Sequence, residues 1–82
     1  MSFKLLFSGD LRRTRDSMGW TQPLVADLVS ITLREYQNIE SGKRIPKTET
    51  FFRLVYLFDL DIENYREAFR EAFDIRGPLS SV

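Results

Sequence analysis

Residues 21–46 read TQPLVADLVSITLREYQNIESGKRIP, and their pattern predicts two short helices joined by a tight turn. Thr21 is a good N-cap for the first helix, because its hydroxyl can accept a free amide of the first turn. Pro23 falls within that turn, where its missing N–H leaves no hydrogen bond unmade. Ser30 then interrupts the helix. The face predicted to be buried consists of Val25, Ala26 and Val29.

The second helix of this stretch has recognisable signals at both ends. Thr32 and Glu35 have the spacing of a capping box, in which each side chain accepts the backbone N–H of the other residue. The helix should therefore begin at Leu33. Gly42 can adopt the left-handed conformation that ends a helix, so we expect the helix to stop there.

The two faces of this second helix differ in chemistry. At 100° per residue, Tyr36, Ile39 and Glu40 share one face. The opposite face is polar, and Arg, Asn and Gln are side chains that form bidentate hydrogen bonds with base edges in the major groove of DNA. Any solvated helix also shows a polar face, so this face alone does not identify a DNA-binding helix. Its members are Arg34, Gln37, Asn38 and Ser41.

A longer string of residues matches one family at its characteristic spacings, and consists of Arg15, Thr21, Gln22, Ala26, Ile31, Thr32, Ile39, Glu40, Gly42, Lys43, Arg44 and Pro46. It resembles the Cro/XRE-type helix-turn-helix domain of phage-repressor-like regulators over about residues 8–65. The resemblance implies an all-α, compact, lambda-repressor-like bundle of five helices, with the recognition helix at 33–41 and a homodimer on a two-fold operator. We expect a single domain over residues 1–82, with a C-terminal helix that extends to about residue 76.

The resemblance also implies roles for individual residues. Arg15 and Glu40 match a largely buried ion pair that ties the first helix to the recognition helix. Gln22 matches a residue that contacts a phosphate and braces the recognition helix. The residues that match base-contacting positions are Leu33, Arg34, Gln37 and Asn38, and those that match contacts with the DNA backbone are Gln22, Thr32, Lys43 and Arg44.

Four residues depart from the pattern of the family. Leu33 replaces the usual polar residue at the front of the recognition helix, and can touch a thymine methyl group but cannot donate or accept a hydrogen bond. Ser30 stands where the family often has glycine. Leu24 and Leu28 occupy positions that the family usually fills with charge, and they form an apolar stripe on a face otherwise in water. These differences concern specificity and surface packing rather than the fold.

Three further helices are predicted outside this motif. In the first, Leu11 and Met18 should face inward, and Arg12 and Arg13 should face solvent. In the second, apolar residues recur at i, i+3, i+4 and i+7 to form a core face. Residues 79–82 should fray. The helices are Ser8–Met18, ended by Gly19; Lys47 or Thr48 to Phe58, with the core face Phe51, Leu54, Val55 and Phe58; and Ile62 to about Asp74, capped by Asp61 and stopped by Gly77 and Pro78.

The last predicted helix carries an apolar stripe that is longer than a five-helix domain needs. Phe69 and Phe73 repeat at i and i+4, and leaving them in water would forfeit about 1.5–3 kcal/mol each. A dimer interface with a second copy of the chain would bury both rings. Packing within the chain would bury them equally well, and the residues available for it are Phe3, Leu5, Leu6 and Phe7.

The composition excludes several classes of site. The 82 residues include no Cys and no His, which excludes disulfides, the usual zinc sites, and Ser-His and Cys-His catalysis. We expect no cofactor and no metal. No apolar run approaches the roughly 20 residues that cross a bilayer, and residues 1–7 are too short for a signal peptide. The expected location is the cytoplasm, with no membrane partner.

The charge is unevenly distributed although the net charge is zero. Residues 1–48 hold eight basic and five acidic side chains, whereas residues 49–82 hold four basic and seven acidic ones. A positive half that contains the motif, followed by an acidic half, fits one DNA-binding face and a separate association face.

Two functions from different classes are consistent with these features. The first is a sequence-specific transcriptional regulator, a repressor, that binds double-stranded DNA as a homodimer. The second is a helix-turn-helix module that binds another protein, as an antitoxin or an adaptor, with weak or no DNA binding. Zero net charge, Leu33 and the apolar stripe of Leu24 and Leu28 favour the second. The first is the function we expect, and the side chains that favour it are Arg34, Asn38, Lys43 and Arg44. No enzyme is expected, because a cap and an ion pair account for Glu35 and Glu40.

Overall fold

The computed structural model describes residues 2–75, and this part of the chain folds into five α-helices and one short 3-10 helix and contains no strand. The all-α class and the number of helices predicted from the sequence are confirmed. The predicted stop at Gly77 and Pro78 and the fraying of residues 79–82 lie outside the described residues. The elements are α1 (Phe3–Met18), α2 (Gln22–Leu28), α3 (Leu33–Glu40), α4 (Thr48–Phe58), a 3-10 helix (Ile62–Tyr65) and α5 (Arg66–Ala72).

The first helix begins five residues earlier than predicted. The Ser2 hydroxyl caps it by accepting the Leu5 N–H at 3.3 Å. Ser8, the predicted first residue, lies inside the helix and donates its hydroxyl to the Leu5 carbonyl at 3.1 Å. The earlier start is favoured because it places three apolar residues on the buried face at intervals of four, namely Phe3, Phe7 and Leu11.

The end of α1 confirms one prediction and corrects another. Gly19 has a φ of 70° and ends the helix as predicted. Leu11 is fully buried and Arg12 and Arg13 are exposed, also as predicted. The predicted inward position of Met18 is wrong, since 41% of its surface is exposed. Met18 is the last residue of α1, where the helix extends beyond the core.

Aromatic rings from α1, from α4 and from the 3-10 helix form much of the core. The ring centroid of Phe3 lies 5.3 Å from that of Phe7, 5.9 Å from that of Phe51 and 5.9 Å from that of Tyr65. Such distances are typical of favourable aromatic pairs. The core face of α4 is confirmed, with Val55 at its partly buried margin. The buried apolar residues of the core are Phe3, Phe7, Leu11, Val25, Ala26, Val29, Tyr36, Ile39, Phe51, Leu54, Phe58, Tyr65 and Ala68.

The C-terminal helical segment differs from the single helix predicted over Ile62 to about Asp74. Asp61 caps it as predicted, by accepting the Glu63 N–H at 3.0 Å, but the first turn is a 3-10 helix. Tyr65 is buried at the end of that turn and donates its hydroxyl to Asp10 of α1 at 2.7 Å. This hydrogen bond ties the 3-10 turn to α1, and α5 follows the turn and ends at Ala72, two residues before the predicted end at Asp74. No helix within residues 2–75 is long and apolar enough to cross a membrane.

Candidate nucleic-acid interface

A short turn joins α2 to α3. The Thr21 hydroxyl caps α2 by accepting the Leu24 N–H at 3.2 Å, as predicted. In the turn, Ser30 has a φ of 62°, a left-handed conformation that costs a non-glycine residue about 1–2 kcal/mol. The Ile31 N–H donates to the Ala26 carbonyl at 3.0 Å and closes the turn. The turn therefore accommodates a serine where glycine would be unstrained.

The α3 helix has the predicted start and the predicted two faces. The Glu35 N–H donates to Thr32 Oγ1 at 3.0 Å, and the Thr32 N–H donates to Glu35 Oε1 at 3.2 Å, which completes the capping box. Tyr36, Ile39 and Glu40 are buried. On the other face Leu33, Arg34 and Gln37 are exposed and Asn38 is half-buried. These outer side chains are free to meet a partner that approaches α3.

Backbone carbonyls of α3 hold the loop that follows it, and the carbonyl of Asn38 accepts several of these hydrogen bonds. The carbonyl of Asn38 accepts the N–H of Lys43 at 2.9 Å and that of Arg44 at 3.2 Å, and it also accepts the Ser41 hydroxyl at 3.2 Å. Gly42 lies between these donors with a φ of 79°. Lys43 and Arg44 are therefore held beside the outer face of α3, with both side chains exposed.

A cleft of about 330 Å³ lies between α3 and the N-terminal end of α4. The residues that line it are Thr32, Arg34, Glu35, Asn38, Ile39, Arg44, Ile45, Pro46, Lys47 and Thr50. Sequence reasoning did not assign Lys47 or Thr50 to the site. Lys47 could have been assigned from the sequence, because it immediately precedes a predicted helix, whose free N-terminal amides favour anions such as phosphate. The cleft thus combines three basic side chains and the acidic side chain of Glu35 with the positive end of a helix.

A buried ion pair joins α1 to α3. Arg15 donates from Nε to Glu40 Oε2 at 2.9 Å and from Nη2 to Glu40 Oε1 at 2.7 Å, and its Nη1 donates to the Trp20 carbonyl at 2.9 Å. The side chain of Arg15 is 15% exposed and that of Glu40 is 4% exposed. Gln22 adds a third donor, from Nε2 to Glu40 Oε1 at 3.3 Å. Burial opposes ionisation of Glu40, but the hydrogen bonds with Arg15 lower its pKa below the ordinary value.

Tyr36 lies inside the helix-packing interface and is fully buried. Burial raises the pKa of its hydroxyl, and the negative charge of Glu40 raises it further. Within residues 2–75 this hydroxyl forms no hydrogen bond. The ring therefore contributes to the core as an apolar group, and the hydroxyl adds a desolvation cost.

The family model described as "Helix-turn-helix domain" matches residues 10–66, which is most of the chain. The chain belongs to the helix-turn-helix domain family. The match includes α2, the turn, α3, the loop that carries Lys43 and Arg44, and both residues of the buried ion pair. Comparison with curated proteins and with solved structures gave no match.

The helix-turn-helix domain also exposes apolar side chains around its motif. Leu24 and Leu28 of α2 are 40% and 49% exposed, so their predicted apolar stripe lies on the surface of the chain. Leu33, the first residue of α3, is 39% exposed. The surface near the motif is therefore partly apolar.

The two phenylalanines of the C-terminal segment have different surroundings. Phe69 is half-buried within the chain, with its ring centroid 5.1 Å from that of Phe3 and 5.7 Å from that of Phe51. Phe73 follows α5 and packs on Phe3 and Phe69, but 52% of its surface remains exposed. Of the two alternatives predicted for these rings, packing within the chain accounts for Phe69. The exposed part of Phe73 is left available to a second copy.

Proposed function

We propose that this helix-turn-helix domain is a Cro/XRE-type transcriptional regulator that binds a specific DNA sequence. The observation that carries the proposal is the outer surface of α3 and its following loop, where exposed polar and basic side chains lie above a buried apolar and ionic face. In helix-turn-helix domains the second helix of the motif enters the major groove. In this orientation α3 would carry the base contacts of Leu33, Arg34, Gln37 and Asn38.

One set of side chains would contact bases, and another set would contact phosphates. Arg34 can grip guanine O6 and N7 in a bidentate pair, and Asn38 can do the same for adenine N6 and N7. Lys43 and Arg44, held beside α3 by the Asn38 carbonyl, would meet phosphates, as would Gln22 and Thr32 at the N-terminal ends of their helices. The phosphate contacts would fix the register on DNA, and the base contacts would select the sequence.

The zero net charge limits affinity but does not oppose this function. Arg34, Lys43, Arg44 and Lys47 lie on or beside the proposed DNA-binding face. Each phosphate that is neutralised contributes about −0.9 to the slope of log K against log salt. Since Arg34 is assigned to a base, six side chains of a dimer remain to neutralise phosphates, Lys43, Arg44 and Lys47 of each copy. They would give a slope no steeper than about −5, and specific binding should therefore depend strongly on salt.

The proposed functional unit is a homodimer on a two-fold operator. One α3 helix reaches only one half-site, whereas two copies can bind half-sites about 34 Å apart, one turn of DNA. The proposed dimer interface is formed by Phe69 and Phe73. The exposed surface of Phe73 would contact the second copy, and the ring of Phe69 packs against Phe73 from within the chain. We further propose that the dimer acts as a repressor, since occupying an operator is sufficient to block a promoter.

The division of roles is tested by comparing two single substitutions on a selected operator. Arg34→Ala should cost about 1–3 kcal/mol and relax the preference at one base pair of each half-site. Lys43→Ala should leave the preference intact and reduce the salt slope by about one unit for each bound copy. If Arg34→Ala weakened binding to all sequences equally, Arg34 would contact a phosphate and not a base.

A protein-interaction module remains the second candidate. The exposed surfaces of Leu24, Leu28 and Leu33 favour it, because apolar side chains next to the motif suit a protein partner better than a phosphate backbone. The two functions predict opposite results for the substitution Leu28→Lys. For a DNA-binding domain the added charge should leave DNA affinity equal or higher, whereas for an interaction module it should abolish binding of the protein partner.

A further inference from the structure

A relay of side-chain hydrogen bonds runs from the buried ion pair to the outer face of α3. Gln22 donates its Nε2 amide to Glu40 Oε1 at 3.3 Å, and Gln37 donates its Nε2 amide to Gln22 Oε1 at 3.3 Å. Glu40 is buried, whereas Gln37 is exposed. The relay therefore connects the interior of the domain to a residue on the proposed base-reading surface.

The ionised carboxylate of Glu40 determines which group donates and which accepts at each step of this relay. Both carboxylate oxygens of Glu40 accept from Arg15, so Glu40 is an ionised group that can only accept. Gln22 must therefore turn its NH₂ group toward Glu40, which turns its carbonyl oxygen toward Gln37. Gln37 must in turn direct its NH₂ group toward Gln22. The side-chain carbonyl oxygen of Gln37 then points away from Gln22 and is left as a free acceptor.

We propose that Gln22 is a positioning residue that makes Gln37 select a base with an amino group in the major groove, adenine or cytosine. The inference rests on the proposed DNA-binding function and names a specificity within it. Adenine offers its N6 amino group and cytosine its N4 amino group there, whereas guanine and thymine offer only acceptors for hydrogen bonds. Adenine fits best, because the second Nε2 hydrogen of Gln37 can donate to N7 while the carbonyl oxygen accepts from N6.

The test is selection of bound duplexes from random DNA by the full chain and its variants. For the wild type, one position of each half-site should favour adenine or cytosine by about 5- to 100-fold. Gln37→Ala should remove that preference. Gln22→Met keeps the length of the side chain but not the amide, and should remove most of the preference at the same position while the other positions keep theirs. In the Gln37→Ala background, Gln22→Met should have no further effect at this position.

A second variant tests whether the side chain at position 37 accepts the hydrogen bond from the base. Gln37→Glu presents a group that can only accept, so it should retain an amino-bearing base, with cytosine favoured. Preference for guanine or thymine at this position, in the wild type or in Gln37→Glu, overturns the proposal. It is also overturned if Gln22→Met weakens binding to all sequences equally and keeps the preference, because Gln22 would then act on a phosphate alone.

The relay is also measurable in the free protein. In spectra of the side-chain amides, Gln22→Met should move the Gln37 NH₂ resonances toward those of a solvent-exposed glutamine. Unchanged resonances would refute the relay whether or not the chain binds DNA. Failure of the wild type to select any sequence would instead overturn the DNA-binding function, and with it the reading of a base by Gln37. The two failures are therefore distinguishable.

Discussion

Loss of either partner of the Arg15–Glu40 ion pair should remove much of the stability of the domain. The pair is bidentate, and its side chains are only 15% and 4% exposed, so water cannot replace a missing partner. Removing one member of a buried pair costs about 3–5 kcal/mol. A domain of this length has a free energy of unfolding of about 4–12 kcal/mol. Arg15→Met should therefore be marginally folded at neutral pH.

The effect of Arg15→Met should depend on pH in a defined direction. In the wild type the pKa of Glu40 is below its ordinary value, so its contribution to stability is present above the unfolded pKa and is lost as the pH falls through the folded pKa. In Arg15→Met the carboxyl group stays buried without its cation, and its pKa rises above the ordinary value. The variant is therefore most destabilised at neutral pH, and its deficit should shrink as the pH falls toward 5.

The assay is urea denaturation followed by circular dichroism at pH 7 and pH 5. Arg15→Met and Glu40→Leu should each lose about 3–5 kcal/mol at pH 7, and the double variant should lose less than either, because no buried charge remains unpaired. Arg70→Met, which removes an exposed pair with Glu67, is the matched control and should barely move the midpoint. A loss below about 1 kcal/mol for Arg15→Met, or additive losses in the double variant, would refute this reasoning.

Three further predictions concern stability and assembly. Gly42→Ala and Gly19→Ala should each destabilise the fold in thermal unfolding by about 1–2 kcal/mol, because alanine is strained at the positive φ of both positions; no loss at either position would contradict this. Tyr36→Phe should change stability by less than about 1 kcal/mol, because the Tyr36 hydroxyl forms no hydrogen bond within residues 2–75. Tyr65→Phe loses a 2.7 Å hydrogen bond to a carboxylate and should cost about 1.5–3 kcal/mol. Equal costs for the two variants would contradict this. In sedimentation at micromolar concentration the wild type should be a dimer and Phe73→Glu a folded monomer; a monomeric wild type would exclude the proposed dimer.

The parts of the fold that sequence reasoning predicted correctly are those set by local rules. Thr21 and Thr32 cap their helices because a hydroxyl and a free amide lie within one turn of each other, and such pairs can be read from spacing alone. Gly19 and Gly42 end their helices for a similarly local reason. The predicted start of α1 at Ser8 was wrong because Ser2 is also a cap, and packing decided between the two.

What sequence reasoning could not predict depends on contacts between distant segments. The hydrogen bond from Tyr65 to Asp10 spans most of the chain and holds the 3-10 turn that precedes α5. The cleft that contains Lys47 brings together side chains of α3, of the loop held by the Asn38 carbonyl and of the start of α4. The relay from Glu40 through Gln22 to Gln37 likewise requires three side chains from two helices to meet. Polar stripes on a single helix contain none of this information.

Sequence-specific DNA binding through α3 is open to one decisive measurement, the selection of bound duplexes from random DNA at two salt concentrations. We predict an enriched sequence with two inverted half-sites whose centres lie about 34 Å apart. We also predict that affinity for it falls steeply as salt increases. If no sequence were enriched, or if salt did not weaken binding, α3 would not be a sequence-reading helix.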